Sequence, residues 1–333
     1  MWAVLREAAD SEGRLDYPTF VQHALYAPEC GYYTRSDKQR IGRTRGADFT
    51  TASELQPVFG ELVAAASAHL LKAQGRVVAE HTFIEIGAER VGGVLEGIDH
   101  PFREVRAIRV GEAIELEGAC VVFSNELFDA QPFRRFQRMG GEWQELGVQL
   151  GGEPGDIEEI MLPEISEAAE QDLDDVLRLA QGRALNAQPE GSVLDYSSGA
   201  TALLQRMTGQ PWQGLFLAID YGMALEAMLE NCPEGTARSY RQHRQHNAIW
   251  EAPGEQDITL HVCWDALEMV LRKAGFQDVQ LRRQEAFFVE KAAKRVMELA
   301  GEIDPMSDSK RKLMALLHPA HYGSKCQALW ATR

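Results

Sequence analysis

The stretch Val121-Val-Phe-Ser-Asn125-Glu126-Leu-Phe-Asp129-Ala-Gln-Pro132-Phe133 indicates how the chain folds. It opens with a short apolar run of the kind that is buried on both faces of a parallel sheet. Polar side chains follow at once, namely Asn125, Glu126 and Asp129. Because open α/β sheets bind ligands at the carboxyl ends of their strands, this pattern predicts a polar site at that edge. The alternative is a strand followed by a helix cap, in which Asn125 or Asp129 accepts backbone N–H bonds.

Two other apolar runs end in a similar way. His81-Thr-Phe-Ile-Glu85-Ile-Gly87 is typical of a first sheet strand that runs into a glycine turn. Gly214-Leu-Phe-Leu-Ala-Ile-Asp220-Tyr221-Gly222 predicts another buried strand, and it too ends in a carboxylate. A second strand that ends in an acid favours a cleft between the two, although Asp220 alone is also compatible with an ordinary turn.

Strict alternation of polar and apolar residues distinguishes the segment Asp257-Ile-Thr259-Leu-His261-Val. In an extended chain Asp257, Thr259 and His261 point to one face, and the apolar residues between them point to the other. This predicts a strand whose polar side lines the cleft, with His261 facing the site. A single histidine outside such a pattern is usually packed or at the surface.

The composition is that of an ordinary globular protein. The 333 residues are 45% hydrophobic and 25% charged, enough for one large domain with insertions or for two domains. A formal net charge of −16 argues against a nucleic-acid binder, since affinity for phosphates comes mainly from Lys and Arg. The acidity suits a basic partner, such as a segment that carries arginine, or simply solubility.

Neither a metal nor a membrane is expected. The five cysteines are scattered without a CxxC pair, which predicts reduced thiols in a cytoplasmic protein. His243 and His246 are spaced to share a helical face, but a third ligand is missing nearby. The N-terminus lacks a signal-peptide pattern, and no apolar run is long enough to span a bilayer.

Several separated motifs, from about Leu15 to the C-terminus, occur in an order that resembles one family. Asn-Glu-Leu-Phe-Asp-Ala-Gln-Pro at 125–132 is similar to the Asn-Glu-Phe/Leu-Phe-Asp-Ala-Leu-Pro motif of the MidA/NDUFAF7-type (DUF185) proteins. Ile-Asp-Tyr-Gly at 219–222 and Pro-Gly-Glu-Gln-Asp-Ile-Thr-Leu-His at 253–261 resemble two more of its motifs. The family consists of class I S-adenosylmethionine-dependent methyltransferases, so the resemblance implies that cofactor.

The resemblance also implies which residues hold the methyl donor. They are a loop before the first strand and the glycine turn after it: Gly46, Asp48, Thr50, Glu85 and Gly87. The chain departs from the family at the turn, where Glu89 and Val91 replace glycines and are expected to crowd a nucleoside. The strand at Val105–Val110 matches the family's third, so the second strand and its ribose-binding acid are missing. Glu112 is the candidate substitute.

The other side of the cleft is implied to bind the methyl acceptor. The candidate catalytic residues are Asn125, Glu126, Asp129, Asp220 and His261. The candidate substrate-binding residues are Tyr32, Tyr33, Tyr221, His243 and Asp257. For Tyr32 and Tyr33 the alternative is simple packing, which is the more common role of paired tyrosines.

The fold class predicted from this resemblance is α/β, a Rossmann-like class I methyltransferase sheet with an inserted helical cap subdomain. The predicted division has an N-terminal helical segment (1–75), the core (76–150 and 212–333) and a mainly helical insertion (151–211). A hairpin is predicted at Gly140-Gly141, between two β-like runs.

The predicted function is methylation of an arginine nitrogen on a protein partner, which the resemblance relates to assembly of respiratory complex I. A homodimer is also possible. The altered donor side leaves a second hypothesis, a non-catalytic family member that acts as a binding or assembly factor. A nicotinamide-cofactor enzyme is a distant third, since it rests on the shared fold alone.

Overall fold

The computed structural model describes residues 1–35, 52–180, 183–241, 244–302, 304, 307–318 and 323–333. The chain forms two compact units. The first comprises Met1–Phe49, Phe128–Leu204 and Gly222–Met269, and the second comprises Thr50–Leu127, Gln205–Tyr221 and Val270–Arg333. These bounds differ from the predicted division, because both the N-terminal segment and the core are shared between the units.

The regular elements alternate along the chain. The helices are α1 (Trp2–Ala8), α2 (Tyr17–Tyr26), α3 (Val58–Ala73), α4 (Glu167–Leu179), α5 (Arg183–Asn186), α6 (Ser198–Thr208), α7 (Leu225–Asn231), α8 (Trp264–Lys273), α9 (Gln284–Lys291), α10 (Ala293–Ala300) and α11 (Asp308–Leu317). The strands are β1 (Arg14–Asp16), β2 (Thr82–Ile86), β3 (Glu104–Ile108), β4 (Gly118–Asn125), β5 (Arg134–Met139), β6 (Glu142–Leu150), β7 (Ile157–Met161), β8 (Val193–Tyr196), β9 (Trp212–Met223), β10 (Arg238–Arg241), β11 (Arg244–His246), β12 (Asp257–Thr259), β13 (Val262–Cys263), β14 (Gln277–Arg283) and β15 (Cys326–Thr332).

The second unit is built on a mixed sheet with the strand order β14-β15-β9-β4-β2-β3. Strands β9, β4, β2 and β3 are parallel, and β15 runs antiparallel to β9 and β14. The apolar run Val121–Phe123 in β4 is fully buried, as expected for a parallel strand covered on both faces. Helices α3, α9 and α11 supply side chains to the core that includes Val121 and Phe123. The predicted class I-like α/β fold is therefore confirmed.

Strand β3 occupies an unexpected place in this sheet. The sequence matches it to the family's third strand, but it pairs directly with β2, from Thr82↔Glu104 to Ile86↔Ile108. Residues 87–103 connect these parallel strands without a helix. The amide groups of Gly87 and Ala88 both donate to the carbonyl of Ile108, at 2.8 and 3.0 Å, and so fasten the start of the connection to the end of β3.

The first unit contains two antiparallel sheets. In the larger sheet the order is β1-β6-β5-β8, and β7 pairs with β6. Strands β5 and β6 form the predicted Gly140-Gly141 hairpin, with Met139 opposite Glu142. The insertion at 151–211 contributes strands β7 and β8 to this sheet as well as helices α4, α5 and α6. The smaller sheet has the order β11-β10-β12.

The alternating segment at 257–262 is not one strand. It forms β12 and β13, and β13 pairs in parallel with Gly222 and Met223 at the end of β9. Between them the amide of Leu260 donates to the carbonyl of Asp129, at 3.0 Å, so this residue leaves the sheet ladder. The prediction of a continuous strand was wrong because alternation alone does not reveal where a backbone donor finds a partner outside the sheet.

Helix α2 begins with a side-chain cap and a proline. Asp16 caps it by accepting a hydrogen bond from the amide of Thr19, and Pro18 lies in the first turn. Within the described residues, no helix is long and apolar enough to cross a membrane.

Candidate functional site

Glu126 lies just after β4 in the second unit and adopts a left-handed backbone with φ +48°. Its amide donates to the carbonyl of Ile219 on the neighbouring β9, at 2.9 Å. Its Oε1 accepts hydrogen bonds from the amide of Ala52, at 3.1 Å, and from Asn125 Nδ2, at 3.3 Å. Burial raises the pKa of the Glu126 carboxyl well above its usual range, and the negative charges of Glu89 and Asp220 raise it further.

The side chain of Asn125 has a buried oxygen, Oδ1, that is available to accept a hydrogen bond from a ligand. The residue is 8% exposed, and its Oδ1 has no hydrogen-bond partner within the described chain. Because Nδ2 is used to hold Glu126, the amide orientation places a bare acceptor beside a carboxylate. A buried carbonyl oxygen without a donor costs free energy, so this atom suits a donor that a ligand brings.

Asp220 is the last fully buried residue of β9, and its side chain bonds to backbone amides. The side chain is fully buried, and its two oxygens accept from the amides of Leu127 (3.1 Å) and Tyr221 (2.8 Å). The first bond spans from β9 to the residue after Glu126. Asp220 therefore holds the strained segment at the end of β4 in place, whereas Tyr221 is half-buried beside it.

Glu85 is a second buried acid in the same unit. It lies on β2 and is 6% exposed, and its carboxylate accepts a short hydrogen bond from the amide of Val94. Burial raises the pKa of Glu85 to about 7, and the charge of Glu89 adds to the rise. A Cβ on Gly93 would lie 2.5 Å from Glu85 Oε2, so only glycine lets the shortened loop approach this close.

The loop after β2 differs from the expected crowded turn. Gly87 has a φ of +77°, which favours glycine, and directs the chain out of the sheet. Val91 is 80% exposed, so its side chain does not fill a pocket in this unit. Glu89 is the residue that adds charge, because it acts on both Glu85 and Glu126.

Glu112, the candidate substitute for the ribose-binding acid, is exposed. Its carboxylate accepts a hydrogen bond from the amide of Arg109, at 2.8 Å, and so closes the turn after β3. Ribose binding by Glu112 stays a prediction, and this arrangement of its carboxylate does not support it.

The first unit gathers tyrosines around carboxylates. The rings of Tyr26 and Tyr33 stack at 5.6 Å, and Tyr33 Oη donates to Asp257 Oδ1 at 2.8 Å. Burial and the charges of Asp257 and Asp129 raise the pKa of both phenols, so each stays a neutral donor. Tyr32 is fully buried and lies edge-on to Tyr33, an arrangement that favours the packing alternative for its ring.

His261 follows β12 in the same unit and is half-buried. Its Nδ1 is buried and has no hydrogen-bond partner among the described residues. Burial lowers the pKa of His261, and the positive charge of Arg238 lowers it further. The imidazole is therefore neutral near pH 7 and able to accept a proton. The backbone carbonyl of Asp129, which is itself 7% exposed, fixes the adjacent Leu260.

Some predicted residues lie outside the described part of the chain, namely Gly46, Asp48, Thr50 and His243. Of the others, the structure brings Glu85, Asn125, Glu126 and Asp220 together in the second unit, and Tyr33, Asp129 and Asp257 in the first. Sequence reasoning missed Tyr26, Glu89 as a charged neighbour, and Arg238. Tyr26 is the last residue of α2 and directly follows the apolar Ala24 and Leu25, whereas Arg238 opposite Thr259 follows only from strand register.

Among the described residues there is no group of three or more His, Cys, Asp or Glu side chains arranged to hold a metal ion. The acids of the second unit are instead bonded to backbone amides and to Asn125. The buried acids and Asn125 are therefore suited to a ligand that carries hydrogen-bond donors or a positive charge.

Known proteins with similar structures share this fold across almost the whole chain. A COG1565 superfamily member from Burkholderia thailandensis, in a crystal structure bound to S-adenosyl-homocysteine, is 25% identical with a TM-score of 0.81. The match covers 99% of this chain and 91% of that one. A native structure of a COG1565 protein from the same organism, 24% identical, has a TM-score of 0.78 over the same shares and supports the fold.

Among characterised proteins, the zebrafish (Danio rerio) mitochondrial protein arginine methyltransferase NDUFAF7 is 22% identical over 325 residues. That match covers 81% of this chain and 70% of the relative. The Drosophila melanogaster homologue is 23% identical over 159 residues, which covers 48% of this chain and 34% of the relative.

The sequence also matches a protein family over residues 62–281, more than half of the chain. The match includes β2, β4 and β9, and thus the acids Glu85, Glu126 and Asp220. The family is described as "Putative S-adenosyl-L-methionine-dependent methyltransferase", and this chain belongs to it.

Proposed function

We propose that this protein is an S-adenosylmethionine-dependent N-methyltransferase that acts on an arginine nitrogen of a protein. The observation that carries the proposal is the pair at the end of β4. Asn125 Oδ1 is a buried acceptor that has no donor among the described residues, and it lies next to Glu126, a carboxylate whose pKa is raised. Together they are suited to receive N–H groups and a proton.

The charge of the second unit fits the cofactor. The charges that raise the pKa of Glu126 are those of Glu89 and Asp220, and Glu89 also acts on Glu85. Such mutual repulsion is relieved by a cation, and S-adenosylmethionine carries both a sulfonium and an ammonium group. When bound, it supplies an electrophilic methyl group. Glu85, Gly87 and Glu89 are the residues of this unit that we assign to its binding.

Methyl transfer to the arginine nitrogen releases one proton, which a residue of this chain has to accept. A guanidinium nitrogen that gains a methyl group must lose a proton, and a carboxylate with a raised pKa is a better base than an ordinary one. We assign this step to Glu126, whose Oε1 is already oriented by Ala52 and Asn125. Asn125 Oδ1 accepts a second N–H and fixes the plane of the guanidinium.

His261 in the first unit is the other candidate base. Its neutral imidazole has a free Nδ1 within the described chain, and its pKa is lowered by burial and by Arg238. Loss of a general base removes the low-pH limb that its protonation gives to the pH profile. The pH profiles of His261→Gln and Glu126→Gln therefore separate the two assignments.

The choice of a protein arginine rests on the relatives and on charge. Two relatives are named protein arginine methyltransferases, at 22% and 23% identity. A net charge of −16 attracts a basic segment more readily than an acidic one. A subunit of respiratory complex I is the partner that the family resemblance predicts.

A non-catalytic binding protein is the second candidate, and one observation favours it. Glu112, the candidate ribose-binding acid after β3, is exposed and its carboxylate is bonded to its own turn. A hydrogen bond to a charged group contributes about 1.5–3 kcal/mol, so its loss weakens donor binding by about tenfold or more.

The two candidates differ first in donor binding. Calorimetric titration with S-adenosylhomocysteine should give a dissociation constant in the micromolar range if the protein is an enzyme. Incubation with methyl-labelled donor and arginine-rich peptides, followed by hydrolysis, should then yield methylarginine. A folded protein that binds no donor at millimolar concentration would leave only the binding function.

The site is tested with paired variants. Glu126→Gln should lower kcat about a hundredfold or more, because the proton acceptor is lost. Asn125→Ala should raise KM for the peptide and leave the affinity for S-adenosylhomocysteine nearly unchanged. The exposed Glu153→Gln and Asn231→Ala serve as controls, since they should change neither quantity. Loss of donor affinity in Asn125→Ala would move this residue to the donor side.

A further inference from the structure

The loop of residues 87–103, which joins β2 to β3 in the second unit, is fixed at Val94. The side chains of Val94 and Leu95 are each 3% exposed and belong to the core of this unit. A loop that contains no helix has to find partners for its buried backbone groups elsewhere. The N–H of Val94 donates a short hydrogen bond to Glu85, and its carbonyl accepts one from Gln56 Nε2, at 2.9 Å. Two side chains from outside the loop therefore hold both backbone groups of one residue.

Gln56 is itself held by α11. Lys312 Nζ donates to the carbonyl of Gln56, at 2.6 Å, and a salt bridge of 2.5 Å to Asp308 orients the lysine from one turn earlier on the same helix. Gln56 also directly follows the 3₁₀ turn that begins at Ala52, and the amide of Ala52 donates to Glu126 Oε1, at 3.1 Å. This short segment thus binds one acid of the unit directly and binds the loop that is bonded to the other.

The close approach of α3 makes the bond between Gln56 and Val94 possible. At Gly60 on this helix, a Cβ would lie 2.1 Å from the carbonyl oxygen of Val94 and 2.4 Å from Ile98 Cδ1. A side chain at this position would push the carbonyl away from Gln56, so the observed packing requires glycine. The contact therefore depends on three parts of the unit, namely α3, the segment before it and the loop.

We propose that Gln56 is a positioning residue for the methyl donor, because it keeps the loop in the conformation in which Val94 bonds to Glu85. The proposal rests on the proposed function only for the donor itself, whose binding we assign to Glu85, Gly87 and Glu89. Gln56 acts through Val94 and does not need to touch the donor. Its Nε2 carries the only N–H groups of the side chain, so a variant that keeps the volume and loses these groups isolates the role.

The first measurement follows the Val94 amide by NMR in the full-length protein without donor. Burial raises the pKa of Glu85 to about 7, the bond from Val94 lowers it in part, and among the described residues Glu89 is the charged group that raises it further. An amide bonded to a carboxylate changes its chemical shift when that carboxylate is protonated, and Glu85→Gln, which cannot titrate, identifies this change. In Gln56→Met we expect a smaller change of the Val94 shift with pH and a midpoint at higher pH, since the bond that favours the carboxylate is weakened.

The second measurement is calorimetric titration with S-adenosylhomocysteine. Gln56→Met should weaken its affinity about threefold to tenfold, as expected for the loss of one hydrogen bond. Gln74→Met is the matched control, because it removes another glutamine donor of the same unit, which bonds to Asp278 at 2.8 Å. It should leave the Val94 titration and the affinity unchanged. In a Glu85→Gln background, Gln56→Met should add no pH dependence to the Val94 amide.

Three results would overturn the proposal. One is an unchanged Val94 titration in Gln56→Met; another is an equal change in Gln74→Met; the third is an unchanged affinity of Gln56→Met for S-adenosylhomocysteine when the wild type binds it. If Gln56→Met does not fold, Gln56→Asn takes its place, since its amide is one methylene shorter and does not reach the Val94 carbonyl, and the same two changes are expected. A wild-type protein that binds no S-adenosylhomocysteine would overturn the proposed function instead, and the Val94 titration would still test how the loop is held.

Discussion

Two groups of buried acids in this molecule have the same residue types and different neighbours. In the antiparallel sheet of the first unit, Glu145 and Asp195 are each 2% exposed and pair with arginines, Arg134 and Arg135. At the carboxyl edge of the parallel sheet in the second unit, Glu85 and Asp220 are 6% and 0% exposed and bond to backbone amides.

The difference shows what burial alone does not reveal. An acid paired with arginine is neutralised within the chain, and removing its partner leaves an uncompensated buried charge. An acid held by backbone amides keeps its negative charge in an apolar surrounding, where a cationic ligand stabilises it, and for Glu85 burial raises the pKa to about 7. We therefore read the first group as structural and the second as the part of the molecule prepared for a ligand.

The largest effect is expected from breaking the first group. Arg134 bonds to Asp16, Glu145 and Asp172 at 3.2, 2.5 and 2.7 Å. Arg134→Met should lower the free energy of unfolding by about 3–5 kcal/mol, because Glu145 is left buried without a cation. Urea denaturation measures this loss. Arg178→Met, which removes an exposed pair with Asp175, should cost less than about 1 kcal/mol.

The second group should respond to pH instead. The pKa of Glu85 is 4.5 in its ordinary state and about 7 in the folded protein. Between these values the folded state binds the extra proton, so the free energy of unfolding falls as pH rises, by about 3 kcal/mol for this group. Glu85→Gln removes this pH-dependent fall in the free energy of unfolding, and its side-chain oxygen can still accept from the amide of Val94. Its stability relative to wild type should therefore increase from pH 4.5 to pH 8.

Urea titrations of both proteins at several pH values measure this difference. Glu112→Gln, which changes an exposed acid of the same unit, is the control and should differ little from wild type throughout. If the difference in the free energy of unfolding between Glu85→Gln and wild type stayed constant with pH, Glu85 would belong with the acids that are paired with arginine. The contrast between the two groups would then be lost.

Asp257 is intermediate between the groups, and it should give the smallest effect. It is 2% exposed and receives a hydrogen bond from a phenol, Tyr33 Oη, at 2.8 Å. Tyr33→Phe should cost about 1.5 kcal/mol of stability, the lower end of the range for a hydrogen bond to a charged group. Tyr240→Phe loses only an exposed bond of 3.3 Å to Gln245 and should be nearly neutral. Equal losses in thermal or urea unfolding would show that Asp257 does not depend on Tyr33.

Much of the second unit follows from local patterns in the sequence. The apolar runs that become β2, β4 and β9 are long enough to identify parallel strands, and the polar residues after them identify the ligand edge. The hairpin at Gly140-Gly141 follows from turn chemistry. The place of β3 beside β2 does not follow, because strand order depends on how a connection of residues 87–103 packs, and its residues show no helical or strand period.

The charged pairs of the first unit are harder to predict still. Arg134 and Arg135 begin a strand that also contains Gln137 and Arg138, so its sequence does not mark them as buried, and their acids come from β1, β6, β7, β8 and α4. Those partners are distant in sequence, and only the register of five strands brings them together. Likewise Val91 was predicted to crowd a nucleoside, yet its 80% exposure is decided by the course of the loop rather than by the size of the side chain.

The backbone conformation of Glu126 also determines which substitutions are favoured at this position. A residue other than glycine with φ +48° is strained by about 1–3 kcal/mol, and glycine or asparagine would relieve much of this strain. Random change at position 126 is therefore expected to run toward those residues once the carboxylate has no task. A glutamate that persists there is kept against its own conformational preference, and its replacement would be an early sign that a lineage had given up the chemistry while retaining the fold.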